Sequence, residues 1–405
     1  MPMTDLTDML AHAHRHGYAL GAFTVRDLAS LSGVLAAAEN SRAPVLVSPE
    51  ATDAVSLEVL LPAVEAAANR ARVPVAIQLA VAPDPDAVAT AIRLGGNGLR
   101  INAAGDSFPR TVQQVQSLAA TASACGLAAE AAPAADLVGT AAEAGRFVEG
   151  TGIHSLRLAL AADGNGSNAK GRPDYTRLKQ INQALAMPLS VDAGNGLSED
   201  QYRRLIRHGV AAIAYTINPA ELAGERIRAN GRSGGEPLAG VADAVTAKAE
   251  ACMRMWGAAG RAAEVLAQCA PWQGAEQLLL CNFPETGEAD TEAILERGEH
   301  VLAGIPGVRS ATGATALTED APYRYAWRVR LCHPAALTGF EAHPDRAAFA
   351  AGRIHPEAQG CTGIQYRRVG GGSGPSGGGP ASPAPNAAPA GRVATRDPGT
   401  RRDPA

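Results

Sequence analysis

The chain has 405 residues, of which 46% are hydrophobic, 19% charged and only 4% aromatic. That length accommodates two or three domains. Its 36 basic and 40 acidic residues leave a net charge of −4 and a pI near 6.2, without the basic footprint that nucleic-acid binding requires. No run of about 18 apolar residues marks a membrane span. The opening MPMTDLTDMLAHAHRHGY carries acids and histidines where a secretion signal needs a basic start and an apolar stretch, so a cytoplasmic protein is expected.

From Asp5 to about Trp256, short apolar runs alternate with longer amphipathic ones. The candidate strands are Ala19–Phe23, Pro44–Val47, Val75–Leu79, Gly98–Ile101, Gly126–Ala131, Ser155–Leu160, Leu189–Asp192 and Ala211–Thr216. Ala-rich segments such as Asp27–Asn40, Leu57–Ala71 and Ser198–His208 have helical spacing between them. Eight strands alternating with helices predict a parallel sheet closed into a (β/α)8 TIM barrel, an α/β fold whose chemistry sits at the C-terminal strand ends. NGRSGGEP (Asn230–Pro237) reads as a loop before a last helix, Leu238–Trp256, which GAAGRA terminates.

The pattern changes after about Gly274. A strand over Gln277–Phe283 leads to a helix over Ala289–Leu302 and then to IPGVRSATGAT. A strand over Tyr323–Leu331, a helix around Ala335–Phe349 and a strand over Gly363–Arg367 follow. The order β-α-β-β-α-β suggests a ferredoxin-like α+β domain over residues 274–368. GGGSGPSGGGPASPAPNAAPAG opens a low-complexity tail, residues 369–405, expected to be disordered. Cys125, Cys252, Cys269, Cys281, Cys332 and Cys361 form no CxxC pair and are expected as buried reduced thiols.

GYALGAFTVRDL, APVLVSPEA, VPVAIQLA, TGIHSLRLAL and PLSVDAGNG followed by HGVAAIAYTIN carry a resemblance. With the closing MRMWGAAGRA they resemble the class II, metal-dependent fructose-bisphosphate/tagatose-bisphosphate aldolase family, over residues 4–262. The resemblance implies a barrel occupying residues 1–263. It also implies a zinc held by three histidines, and this chain lacks them. The family's LDHG at strand three reads Leu79, Ala80, Val81, Ala82, and the Gly-Thr-x-His-Gly loop of strand six reads Ala161, Ala162, Asp163, Gly164, Asn165. Asp192 of VDAGNG stands where LHGGSG supplies the third histidine; of the family's Glu-x-Glu on strand five, Glu130 remains and Ala132 replaces the second acid. Alanine and valine coordinate nothing, so no catalytic metal and no other cofactor is expected. Mg2+ on Asp163, Asp192, Glu130 and Asn165 and an imine at Lys170 are weaker alternatives.

The mouth nonetheless stays polar. Asp192 or Glu130 is the candidate general base; Arg100 and Asn102 are candidates to orient an anion, beside Gln78, Asp163, Asn165 and Thr216. Gly194, Asn195 and Gly196 match part of the family's phosphate-holding loop. Arg100 and Arg157 stand in strands where the family is apolar, and each needs a carboxylate from the protein or from a ligand. Residues 277–367 resemble the stress-responsive A/B-barrel domains of the dimeric α+β barrel group, on IPGVRSATGAT, YRYAWRVRL and LTGFEAHPDRAAFA. That resemblance implies a homodimer. The group's HPxH reads His343, Pro344, Asp345, Arg346 here, which leaves His343 as a packing residue, while His333 and His355 each precede proline and suit turns.

Three functions follow as expectations. One is a metal-independent lyase or isomerase of specialised metabolism acting on a small polar carbonyl compound, with or without a phosphate, and an anionic small-molecule ligand is expected. The second is an inactive metabolite-binding or accessory subunit. The third puts cofactor-free cyclase or oxygenase chemistry in the C-terminal domain. No nucleic-acid or membrane partner is expected.

Overall fold

A computed structural model describes residues 3–50, 54–103, 107–160, 173–192, 197–218, 240–283, 288–318, 320–350 and 362–367. The tail at 369–405, the loop at 230–237, Cys361 and His355 lie outside the described residues.

Eight parallel strands close on themselves in chain order. They are β1 (Leu20–Val25), β2 (Val45–Pro49), β3 (Val75–Val81), β4 (Gly98–Ala103), β5 (Ala128–Pro133), β6 (Ser155–Leu158), β7 (Leu189–Asp192) and β8 (Val210–Tyr215). Pairing of Leu20 with Ala212 and of Phe23 with Tyr215 seals the barrel. The helices between them are α2 (Leu28–Ser41), α3 (Ala54–Arg70), α4 (Pro85–Leu94), α5 (Phe108–Ala124), α6 (Ala141–Thr151), α7 (Tyr175–Leu185) and α8 (Glu199–Arg207). Asp27, Thr140 and Ser198 each close a capping box, so three strand-to-helix turns are fixed by side chains that satisfy otherwise orphaned amides. Outward residues such as Ile77, Leu79, Ile101 and Val191 are fully buried against these helices. The in-register residues of the other face (Ala22, Ala76, Gln78, Gly98, Arg100, Glu130, Arg157, Ser190, Ala212) fill the interior with small and polar groups.

Helix α9 (Val241–Met255) lies against α2. The crossing is close enough that a Cβ on Gly33 would stand 2.7 Å from Val245, so only glycine fits there. Trp256 ends this helix, fully buried among Phe23, Tyr202 and Tyr215.

Helix α1 (Leu6–His16) closes the N-terminal end of the barrel. Thr4 N–H donates to Val75 O at the start of β3, and buried Asn97, at the entry to β4, donates to Thr4 O. The same few residues hold the far end of the barrel chain. Trp272 N–H donates to Met3 O (2.8 Å), Asp5 N–H to Ala270 O (2.8 Å), and Ala270 N–H to the Asp8 carboxylate. Between Trp256 and this tether runs a short helix, α10 (Ala262–Gln268), which the periodicity did not announce because it is seven residues long.

The second sheet is antiparallel, in the order β10–β11–β9–β12, from β9 (Ala275–Cys281), β10 (Val308–Thr315), β11 (Tyr325–Leu331) and β12 (Thr362–Arg367). Helix α11 (Glu288–Ala303) covers one face, where the fully buried Trp327 donates its indole N–H to Leu295 O. The single helix expected over 335–349 is broken into α12 (Ala336–Ala342) and α13 (Pro344–Phe349). Pro344 has no amide proton with which to continue a helix, and His343 caps the new start by accepting from Asp345 N–H. The sheet is fastened to the barrel. Arg309 makes a two-pronged ion pair with Glu65 of α3 (2.7 Å each), Cys332 lies against Cys125 at the end of α5, and His333 stacks on Trp272. The described cysteines are buried. No helix among the described residues is long and apolar enough to cross a membrane.

Candidate functional site at the barrel mouth

Strand alternation sends Gln78, Arg100, Glu130, Arg157 and Ser190 into the barrel from consecutive strands. Arg157 is the hub. Its Nε donates to Glu130 Oε2 at 3.2 Å, its Nη2 pairs with the same oxygen at 3.1 Å, and its Nη1 donates to Asp192 Oδ1 at 2.5 Å. Burial opposes the Arg157 charge, but the two carboxylates outweigh it and raise its pKa. Glu130 is buried and surrounded by donors: besides Arg157, it accepts from Gln78 Nε2 (3.2 Å) and from the Ser190 hydroxyl. Asp192 differs in position, with its side chain 61% exposed at the rim.

Arg100 faces the same interior without such a partner. Its Nε is buried and makes no hydrogen bond, and neither do Gln78 Oε1 and Ser155 Oγ. Burial, and then the neighbouring Arg157, push the Arg100 pKa down, against a weaker pull from Glu130 and Asp192. The structure thus contains two inward arginines, one neutralised by protein carboxylates and one not. Above this layer the mouth is open: Ala80, Asn102, Asp192 and Thr216 are exposed, and the Thr216 hydroxyl bonds to that of Thr24 (3.1 Å). Arg26 and Glu50 pair at the exposed edge (2.7 Å).

Of the residues expected in the site, Gln78, Arg100, Asn102, Glu130, Asp192 and Thr216 stand at the mouth or in the layer below it. Asp163, Asn165, Lys170, Gly194, Asn195 and Gly196 lie outside the described residues. Ser190 and Ser155 were missed, although each sits two residues from a named interior residue and strand alternation alone could have found them. Val81 ends β3 buried and apolar. Among the described residues, the one group of three metal-ligating side chains close enough to share an ion is elsewhere in the molecule.

The family model for class II fructose-bisphosphate aldolases matches residues 4–261. The chain belongs to that family. Solved structures similar to this aldolase-family chain include the YdjI aldolase of Escherichia coli K12, at 23% identity and a TM-score of 0.58, covering 64% of this chain and 99% of that one. A putative fructose-1,6-biphosphate aldolase from Coccidioides immitis is similar at 23% identity and a TM-score of 0.57, covering 65% and 100%. The fructose-bisphosphate aldolase of Campylobacter jejuni follows at 14% and 0.51, covering 63% and 94%. At these identities the likeness speaks for the aldolase-family fold alone.

Proposed function

We propose that the barrel is a metal-independent lyase or isomerase for a small anionic carbonyl compound of specialised metabolism, phosphorylated where the Gly194–Gly196 loop engages it. The observation that carries this reading is the buried, unpartnered Arg100 Nε below an open polar mouth. A desolvated guanidinium N–H without an acceptor is costly, and an anionic ligand would offset it. Family membership supports carbon–carbon bond chemistry, while the residues at the mouth do not suit a zinc. Val81 and Ala80 end β3 without a ligand atom, and the Asp192 carboxylate is held by Arg157, a fixed cation beside which a divalent ion is repelled.

Both carboxylates serve this chemistry, in different ways. Asp192 is the one a substrate can reach, and it takes the proton from the hydroxyl of a β-hydroxycarbonyl substrate. The carbon–carbon bond then breaks to give an aldehyde and an enolate, and the enolate is reprotonated at carbon. Arg100 steadies the enolate oxygen, with Asn102 placed at the rim to orient the substrate. Glu130 holds Arg157, which in turn orients Asp192.

A second reading is binding without turnover, which the three hydrogen bonds and the further Arg157 contact on Glu130 favour. The C-terminal sheet would then pair two copies of the chain. The β-α-β-β-α-β order and the strand order β10–β11–β9–β12 support the ferredoxin-like, dimeric α+β barrel reading of that region. Leu278, Leu280, Ile364 and Tyr366 share the sheet face opposite Trp327, and we read that face as the homodimer contact. No observation places cyclase or oxygenase chemistry there.

Native mass spectrometry of the full-length chain, purified without added metal, tests the anion site. A small anion retained by the wild type and lost from Arg100→Leu supports the proposal. Equal retention by both proteins, or no binding of fructose 1,6-bisphosphate or inorganic phosphate by either, counts against it. Turnover that survives chelator and falls in Asp192→Asn separates catalysis from mere binding.

A further inference from the structure

The floor of the barrel, at the end opposite the mouth, gathers a second set of polar side chains that the proposed reaction does not use. His12 and His16 stand one turn apart on α1, with their rings stacked at 4.1 Å and 15°. Glu264 of α10 faces both. Its Oε1 is 3.7 Å from His12 Nε2 and 3.3 Å from His16 Nδ1, and the three ligand atoms all lie within 4.8 Å of one another. Two ligands bound at ~2.1 Å to one tetrahedral zinc stand ~3.4 Å apart, a separation that these two distances bracket.

His12 supplies the independent sign that something belongs between them. Its side chain is wholly buried, its Nδ1 is 3.0 Å from the Tyr18 hydroxyl, and its Nε2 has no hydrogen-bond partner. Neither tautomer repairs this. A proton on Nε2 is too far from Glu264 for a hydrogen bond, and a bare lone pair there points at a carboxylate oxygen. A cation satisfies both atoms at once. Donation from Nδ1–H to Tyr18 would fix the tautomer that leaves Nε2 free to ligate. Arg261 holds the other oxygen of Glu264 at 2.9 Å, which turns Oε1 toward the imidazoles.

We propose that His12, His16 and Glu264 form a binding site for a divalent transition metal such as Zn2+, separate from the mouth. Imidazole and carboxylate are a donor set suited to such ions. His16 and Glu264 are partly open to solvent, which admits the ion and leaves water for the fourth position. The bound ion ties α1 to α10 and so secures the barrel floor beside the chain leading to the second sheet.

Calorimetric titration of the chelator-stripped full-length protein with zinc chloride tests this. One equivalent should bind per chain, and His16→Ala and Glu264→Gln should each weaken binding at least ~10-fold. Asp192→Asn should bind zinc as the wild type does. Zinc should also raise the melting temperature of the wild type but not of His16→Ala. The proposal is overturned if no saturable zinc binding is seen, or if Asp192→Asn abolishes binding while the two floor variants retain it. Since both floor residues are part-exposed, circular dichroism of the variants should match the wild type; His12, wholly buried, is left intact for that reason.

Discussion

The two ends of the barrel handle charge in opposite ways. At the mouth a cation is built into the protein: Arg157 lies between Glu130 and Asp192, so the carboxylates there are already neutralised. At the floor the ligand atoms are present and the protein supplies no cation between them, since Arg261 binds the far oxygen of Glu264. The barrel therefore places a cation of its own between two carboxylates at one end, while at the other a carboxylate oxygen faces two imidazoles. What distinguishes the ends is whether a cation of the protein lies between the carboxylate and its neighbours.

The contrast makes graded predictions. Arg157→Met should have the largest effect, because it strands Glu130 as an unpaired buried charge. A loss of ~3–5 kcal/mol in unfolding free energy is expected by denaturant titration. Adding Glu130→Leu should restore most of it; if it does not, the network is more than a balanced pair. At the floor, Tyr18→Phe removes the partner of His12 Nδ1 and should cost ~1–2 kcal/mol in the metal-free protein. A smaller floor effect should appear on acidification. The folded pKa of His12 lies below its ordinary 6.5, so the unfolded chain takes up the proton first as pH falls. Its contribution is full above about pH 6.5 and is lost as pH drops through the lower folded value, at up to ~1.4 kcal/mol per pH unit. His16, Arg15 and Arg261 disfavour the His12 charge and Glu264 favours it, with the Tyr18 hydroxyl as its direct contact. Restoring zinc should steepen that loss, because protons then compete with the metal. The smallest change is expected for Asp192→Asn, whose exposed carboxylate should contribute ~0–1 kcal/mol. A larger loss would show that the rim of the mouth is structural and not reserved for a ligand.

Much of the barrel was legible from its sequence because it rests on a period-two pattern backed by helical spacing. Every expected strand of the barrel appears, with ends displaced by a residue or two; Leu189–Asp192 coincides with β7. Ends drift because strand termini such as Pro49 and Val25 are set by pairing with neighbours, which local pattern does not encode. Gln78, Arg100, Glu130 and Arg157 were found, Ser155 and Ser190 were not, and the roles of all six stayed hidden. Whether Arg100 or Arg157 takes the carboxylates depends on stagger between strands and on depth in the barrel, and no spacing along the chain contains either. The floor cluster was half visible. The interval from His12 to His16 is one helical turn, yet Glu264 lies 248 residues further on, and only closure of the barrel brings it there.

The tether at the floor also sets an order in time. Met3 and Asp5 find their partners at Ala270 and Trp272, beyond the whole barrel in the chain. During synthesis the eighth strand is complete at Tyr215, but these two residues cannot make those bonds until Trp272 has emerged from the ribosome. At about 5–20 residues per second that interval is roughly 3–10 s. For those seconds all eight barrel strands are made while the hydrogen bonds that join Met3 and Asp5 to the later segment are still missing.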